Sequence, residues 1–469
     1  MKLTLALDQG SHASRAILFD ETGSIVASAV EDVELYTPDN VRAEHDAGQL
    51  LDSVNTVIRR VLDSAGDLDR IVNCGIAVQR STALAWDAAG ASCGAVLGWQ
   101  DVRAADSLPA LAENAEEIRR VSGLPISPYY GASKLHWLLN EMSLSGFSDA
   151  DRPRLSPLSS FLLYHLLENQ PYEIDHSSAQ RTQLFDIHTL DWSETLAQWF
   201  GVPLHYLPAC MPICVDYGRL KHGGIPVTAV CGDQSAAMVG AGELHEDTVL
   251  VNIGSGAFLL RKLRRYRGSE NLLTGIAYSD AETVKYLREA TINGAGSALD
   301  WAVKTWGIPD LLEKLPYWLE TVYNPPVFIN TVGGLGTPWM RGAMEPTLIG
   351  ASQETTDAER AVAVIESIVF LIRLNLDQIS RELPVTRLRL SGGLSRLDGL
   401  CRKLCNLSGL PVERSDDMEA TARGVAWLAT GQPRRWNRAG WMDCLTSKTD
   451  PGLEQRYRIF QAELERLLA

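Results

Sequence analysis

No stretch of this 469-residue chain approaches the ~18 consecutive apolar residues that a membrane-crossing helix needs. The apolar run in the opening MKLTLALDQG is too short for the core of a secretory leader and passes straight into a polar turn. Basic residues are also in short supply: 43 Lys and Arg face 58 Asp and Glu, a net charge of -15. That balance excludes a nucleic-acid-binding surface. It does not exclude an anionic nucleotide, provided that backbone donors and a cation neutralise the phosphates locally. The eight cysteines are scattered, and the pairs Cys210/Cys214 and Cys401/Cys405 lack the second half of a zinc pattern. They read as reduced thiols, many of them small buried apolar residues, and the expected location is cytoplasmic with no membrane partner. Low-complexity segments and long linkers are missing as well.

What is present is enough apolar residue, 45%, for more core than one ordinary domain holds. The expectation is two domains, 1–242 and 243–469, with a ligand cleft between them. Residues 3–19 are two apolar runs joined by a Gly- and Ser-bearing turn, the pattern of a β-hairpin, with Asp8 closing the first strand. The run VLVNIGSGAFLL near 249–260 repeats that design in the second half. Each turn is by default only a turn. Two such turns converging on one cleft would instead wrap a phosphate chain in N–H groups.

Leu50, Val54, Val57, Ile58 and Val61 recur at helical spacing, and Ile71–Val78 then reads as a strand ending at Gln79-Arg80. Helices are also expected over 133–141, after the aromatic turn Pro128-Tyr129-Tyr130, and over 357–380. Asn293–Trp301 is a Gly-rich helix entry, and a last helix covers 420–429. Residues 143–225 read as an insertion or a cap. In IPVTAVCGDQSAAMVGAG (225–242) a strand meets a helix at Asp233, with Gly232 allowing a tight turn and the helix beginning near Ser235. Asp233 at that corner is a helix cap or a functional carboxylate.

Together these motifs resemble the FGGY carbohydrate kinases, with the glycerol kinase branch nearest. ALDQG…SR at 6–15, AEHD at 43–46, QR…WD at 79–87, WQD at 99–101, PY at 128–129, GDQ at 232–234 and SENLLTGIA at 269–277 stand in family order. The resemblance covers about residues 4–430. It implies an α/β fold of two ribonuclease-H-like domains of the actin/hexokinase/Hsp70 ATPase type, with an interdomain cleft.

The activity implied is ATP-dependent phosphorylation of a small polyol or sugar, with ATP and Mg²⁺ as cofactors and a homodimer or homotetramer as the assembly. By the same resemblance, Asp8 holds the metal, and Ser11, His12, Ser14, Arg15 and Ser255 belong to the two phosphate turns. Gly296, Asp300, Gly393 and Leu397 fall at nucleoside positions. Arg80, Ser81, Trp99, Tyr129, Asp233 and Gln234 fall at acceptor positions, with Asp233 as the catalytic base. Phosphoryl transfer asks chiefly for positioning and charge neutralisation, which a carboxylate-held cation, an Arg and backbone donors supply.

The chain also departs from the pattern. Ser81 stands where glycerol kinases carry an acidic residue, His12 replaces a hydroxyl residue, Leu397 an amide residue and Ser391 an acidic one. The segment TPWMRGAMEPTLIG after Gly336 is shorter than in that branch. Because Ser81 is short, a roomier pocket and an acceptor longer than glycerol are expected. Glycerol phosphorylation itself and a catalytically weak sugar sensor of the same fold are the alternatives.

Overall fold

The computed structural model describes residues 2–39, 41–144, 153–242, 244–342, 344–415, 419–433, 436 and 441–468. Two large sheets dominate it. The first has six strands in the order Gly218–Arg219, Pro226–Gly232, Ile71–Val78, Leu3–Gln9, Ala13–Asp20, Ile25–Asp32. Leu3–Gln9 pairs antiparallel with Ala13–Asp20 and parallel with Ile71–Val78, which is in turn parallel to Pro226–Gly232.

The second sheet has seven strands in the order Leu273–Ser279, Val284–Ile292, Ala257–Leu263, Thr248–Ile253, Arg387–Ser391, Val412–Ser415, Trp441–Leu445. Its centre repeats the first design: Thr248–Ile253 is antiparallel to Ala257–Leu263 and parallel to Arg387–Ser391, which is parallel to Val412–Ser415. The two like hairpins of the sequence are therefore the seeds of two like sheets.

The strand period of two sorts the side chains of each hairpin. Leu3, Leu5 and Leu7 face the helix Ala47–Ala65, whose Leu50, Val54, Val57, Ile58 and Val61 complete that core. Ala6, Ile17, Phe19, Ala77 and Ala229 form the opposite face, covered by the helix Ala420–Ala429 through Ala422, Val425 and Ala426. Small residues on this face let the helix approach closely: a methyl group added at Gly75 would lie 2.5 Å from the carbonyl oxygen of Val425.

That helix also crosses Asp233–Gly240 at two glycines. A methyl at Gly240 would lie 1.8 Å from the Ala420 oxygen, and one at Gly424 would lie 1.9 Å from the Ala236 oxygen. A segment from the second half of the chain thus completes the core of the first.

Residues 153–225 fold against the first sheet's flank rather than as a separate body. Arg154–Pro157 joins a four-stranded sheet with Glu44–His45, Val96–Leu97 and Ala83–Trp86, and the short helix His176–Gln180 leads toward the centre of the molecule. In the second half, Asp357–Glu382 begins at Thr356, which forms a reciprocal capping box with Glu359. The expected last helix is not the last: Pro451–Leu468 follows it and buries Leu453, Tyr457, Phe460 and Leu464. Among the described residues no helix is long and apolar enough to cross a membrane.

Candidate active site

Asp233 begins its helix, two residues earlier than the sequence indicates, and its Oδ1 accepts the backbone N–H of Gln234 at 2.7 Å. The side chain keeps 27% exposure, so it remains open to a ligand. Gly232 has an ordinary φ of -66°, so its glycine is not there for a tight turn. It makes room instead: an added methyl would sit 2.5 Å from Cγ and Cδ of Arg80. The stem of Arg80 crosses this gap, which brings its Nε to 3.3 Å from Asp233 Oδ1.

The Arg80 guanidinium also grips Glu289 with two bonds, Nη1 to Oε2 at 2.9 Å and Nη2 to Oε1 at 3.0 Å. Arg181 donates to the same Glu289 carboxylate. Glu289 is wholly buried, and the two guanidiniums outweigh its burial, holding its pKa below the usual carboxylate range. Around this cluster a pocket of about 60 Å³ is lined by Arg80, Ser81, Trp99, Tyr129, Tyr130 and Arg181 from the first half, with Asp233. Phe258, Glu289, Thr291, Asn293 and Met340 close it from the second half.

Five of the six acceptor residues read from the sequence therefore meet in one place. The sixth, Gln234, is buried behind Asp233: its Nε2 reaches Asp233 Oδ2 at 3.2 Å and its Oε1 accepts from Asn252 at 3.1 Å. It orients the carboxylate rather than lining the pocket.

Among the described residues, two polar groups in the pocket wall have no hydrogen-bond partner, the Tyr130 hydroxyl and Arg181 Nε. Buried polar atoms are rarely left so unless a ligand or water takes them. Ser81 is held at φ +64°, in the left-handed region, and its hydroxyl lies 3.5 Å from the carbonyl of Arg181. Strain of this kind concentrates at functional sites.

The first turn runs from Asp8 to Arg15, which are cross-strand partners. Asp8 is only 9% exposed; burial pushes its carboxyl up to about 7, with Arg15 pulling it down and Asp233 and Glu419 adding to the rise. The carboxyl of Asp233 is raised by burial too, against the pull of Arg80 and its bonds to Gln234. Asp233 thus adds to the rise of the buried Asp8 carboxyl, a repulsion that a divalent cation at Asp8 would relieve. Among the described residues no three His, Cys, Asp or Glu side chains gather around one point, so the donor set fits Mg²⁺ bound by one or two carboxylates and completed by phosphate oxygens and water.

Ser11 donates to Gln79 Oε1 at 3.1 Å and accepts from Trp99 Nε1 at 3.0 Å, while Gln79 Nε2 donates to Gln9 at 3.2 Å. The first turn and this wall of the pocket are thus one hydrogen-bonded piece. Ser14 corrects the sequence reading. It lies on the other face of the strand, 1% exposed, bonded to Ser53 at 2.8 Å, so its hydroxyl is turned away from the cleft. His12 has a carboxylate neighbour that the sequence hid: its ring acts on the Asp300 carboxyl from across the cleft.

The second turn is built from backbone. Gly254 N–H bonds Gly256 O at 2.9 Å, and the amides of Ala295, Gly296 and Ser297 bond the carbonyls of Ser255 and Gly254. Gly296 is there for clearance, since a methyl would meet the Gly254 oxygen at 2.8 Å. Its amide is already used within the turn. Gly393 follows Gly392, whose φ of +85° and 2.5 Å clearance from Ile253 O admit no side chain, and a methyl at Gly393 itself would meet open space. Leu397 is half-buried beside it at the head of Asp398–Ser408, while Asp300 is exposed on Gly296–Trp306.

The N-terminal domain of the FGGY family of carbohydrate kinases matches residues 3–240, and its C-terminal domain matches residues 249–431. The chain belongs to the FGGY family of carbohydrate kinases. It is a kinase whose phosphoryl acceptor is an alcohol. Among FGGY relatives, the glycerol kinase of Natranaerobius thermophilus is 30% identical over 99% of this chain and 98% of its own length. That of Rhodospirillum rubrum is 32% identical over 92% of this chain and 90% of its own.

The fold of the FGGY kinases is shared throughout. The Plasmodium falciparum glycerol kinase with ADP superposes with a TM-score of 0.82 at 23% identity, covering 100% of this chain and 98% of that one. The ligand-bound xylulose kinase of Lactobacillus acidophilus does so at 0.83 and 17%, covering 100% and 99%.

Sequence reasoning missed Glu289, Arg181 and Tyr130. The sequence masks the first: in VKYLREATI, Glu289 shares its period-two face with Lys285, Leu287 and Thr291, which reads as the solvent side of a strand, and only its burial shows that the charge needs partners.

Proposed function

We propose that this chain transfers the γ-phosphoryl group of Mg-ATP to a hydroxyl of a small polyol or sugar held in the Arg80–Asp233–Glu289 pocket. The observation that carries the reading is Asp233. It is a partly exposed carboxylate with a raised pKa, beside an Arg and sharing its pocket with two polar groups that no described residue satisfies, in a family of kinases. As the acceptor oxygen attacks phosphorus and the bond to the departing ADP breaks, the hydroxyl proton passes to Asp233. Gln234 keeps the carboxylate aimed. Asp8 is assigned to hold Mg²⁺, which neutralises phosphate charge when bound. Arg15 and the two turns receive the phosphates, and Asp300, Gly393 and Leu397 the nucleoside. In this division residues 1–242 carry the acceptor and 243–469 the nucleotide.

The acceptor is read as a four- or five-carbon polyol or ketose. Both carboxylates of the pocket are engaged by arginines, and position 81 supplies a hydroxyl where a carboxylate would bind and fill. Glycerol is the second reading, supported by relatives near 30% identity and by a cavity of only about 60 Å³ with the halves together. ADP release measured over polyols, ketoses and aldoses decides between them: a longer acceptor should exceed glycerol in kcat/KM, and glycerol equal to every longer acceptor would select the second reading. Release with none of them would sink the kinase assignment of this pocket.

A further inference from the structure

Lys134, on the helix Gly131–Leu144, is completely buried. Its Nζ lies within hydrogen-bond distance of four main-chain carbonyls: Gly98 at 2.8 Å, Trp99 at 3.0 Å, Ser81 at 3.1 Å and Tyr129 at 3.3 Å. No carboxylate of the described residues pairs with it. Asp101 acts on it only through its charge, being bonded itself to Arg103 and to the amide of Ala43. An ammonium has three protons to give and no lone pair to repel an oxygen, so a ring of carbonyls is a setting that suits it and no other side chain of its length.

Three of the four carbonyls belong to residues whose side chains line the acceptor pocket, Ser81, Trp99 and Tyr129. They come from three separate stretches of chain; the first two also pair at Ala83 and Leu97, while no strand pair joins the Tyr129 turn to either among the described residues. Ser81 in addition holds a left-handed φ that its surroundings must enforce.

We infer that Lys134 is the positioning residue of the acceptor pocket: its ammonium ties the three backbone turns together and so sets acceptor binding without touching the acceptor. The inference rests on reading that pocket as the acceptor site. Burial presses the amine's pKa down to about 7, as an unpaired cation in the interior requires, and the accepting carbonyls offset that cost.

Lys134→Met, which keeps length and removes every donor, and Lys134→Gln, which keeps two N–H groups, test it in the full-length protein. Backbone amide exchange in the segments around 81, 99 and 129 should quicken by at least ~10-fold in Lys134→Met, with the hairpin 3–20 unchanged. Acceptor KM should rise ~10- to 100-fold while the KM for ATP stays within about twofold, and Lys134→Gln should fall between.

Unchanged exchange in those segments, an unchanged acceptor KM, or a parallel rise in both KM values would overturn the inference. So would failure of both variants to fold, which would make Lys134 a residue of general stability. If the wild type phosphorylates nothing in the acceptor panel, it is the functional reading that fails; the exchange comparison needs no acceptor and still decides the role of Lys134.

Discussion

The two hairpins of this kinase are the same turn put to different uses. Asp8-Gln9-Gly10-Ser11 in the first corresponds to Asn252-Ile253-Gly254-Ser255 in the second, each closing a strand at the head of a like sheet. The first is charged and wired through side chains, with Asp8 facing Arg15 and Ser11 linked to Gln79 and Trp99. The second is neutral and wired through backbone, with Ser255 and Gly254 capping the entry to Gly296–Trp306. Asn252, at the place of Asp8, accepts from Ser391 and donates to Gln234, and so supports the base from behind. One copy carries the carboxylate and the side-chain network proposed for the metal and acceptor, and the other is a backbone cradle.

The largest effect should fall on the charged copy. Asp8→Ala is expected to lower turnover by ~10³-fold or more, with acceptor affinity retained, because one metal-holding carboxylate serves the phosphates alone. Ser255→Ala, in the neutral copy, should change turnover by less than about fivefold, since that residue works through its main chain. Equal losses in steady-state assays would break the comparison. Asp233→Asn comes next, at ~10²-fold or more in kcat with ATP binding near normal, the scale of a lost general base. Turnover within a few-fold of wild type would refute its role.

Making the neutral copy resemble the charged one sharpens the contrast. Asn252→Asp sets a carboxylate beside the phosphates and should raise the KM for ATP about five- to tenfold, a repulsion on the order of 1 kcal/mol. Ser81→Glu should shift preference toward glycerol roughly ten- to a hundredfold in relative kcat/KM, the range for one charge-assisted hydrogen bond. No shift across the acceptor panel would mark position 81 as indifferent.

The smallest effect is thermodynamic. Asp8 gives up its proton near 3.8 when unfolded and near 7 when folded without metal, so folding takes up a proton between those values. The group's contribution to stability therefore falls as pH rises through that window and is least favourable above 7. Asp8→Asn should accordingly raise the melting temperature of the metal-free protein at pH 8 by a few degrees, with the linkage setting an upper bound of about 4 kcal/mol, and by less at pH 5. A lower melting temperature at pH 8 would show that Arg15 outweighs burial.

Much of this was legible because local chemistry and function coincide. Gly/Ser turns between apolar runs, a carboxylate at the strand-to-helix corner and helical spacing over 50–62 and 357–380 all follow short-range rules, and the elements appeared within a few residues of their expected ends. What was hidden depended on the third dimension. Ser14 reads as one more polar turn residue until the strand period places it opposite Arg15 and against Ser53. Gly232 looks like turn chemistry, yet it is vacant space for an arginine stem. Glu289, Arg181 and Lys134 sit in segments far apart in sequence, and only packing shows that their charges are satisfied by one another or by carbonyls. The helix Pro451–Leu468 escaped because 430–450 offers no clear periodic lead into it.

The crossing of Ala420–Ala429 over the first sheet bears on how the protein is made. Ala6, Ala77, Ala229 and Cys231 form a finished sheet face by the time residue 232 has left the ribosome, yet its cover is encoded nearly two hundred residues later. At synthesis speeds of ~5–20 residues per second, that face waits on the order of ten seconds or more before its own helix exists. Apart from Ile17 and Phe19 the face is mostly small, which makes the wait tolerable, for methyl groups are far less adhesive than leucines. The same small residues that let two backbones touch in the finished enzyme thus keep its unfinished half out of trouble.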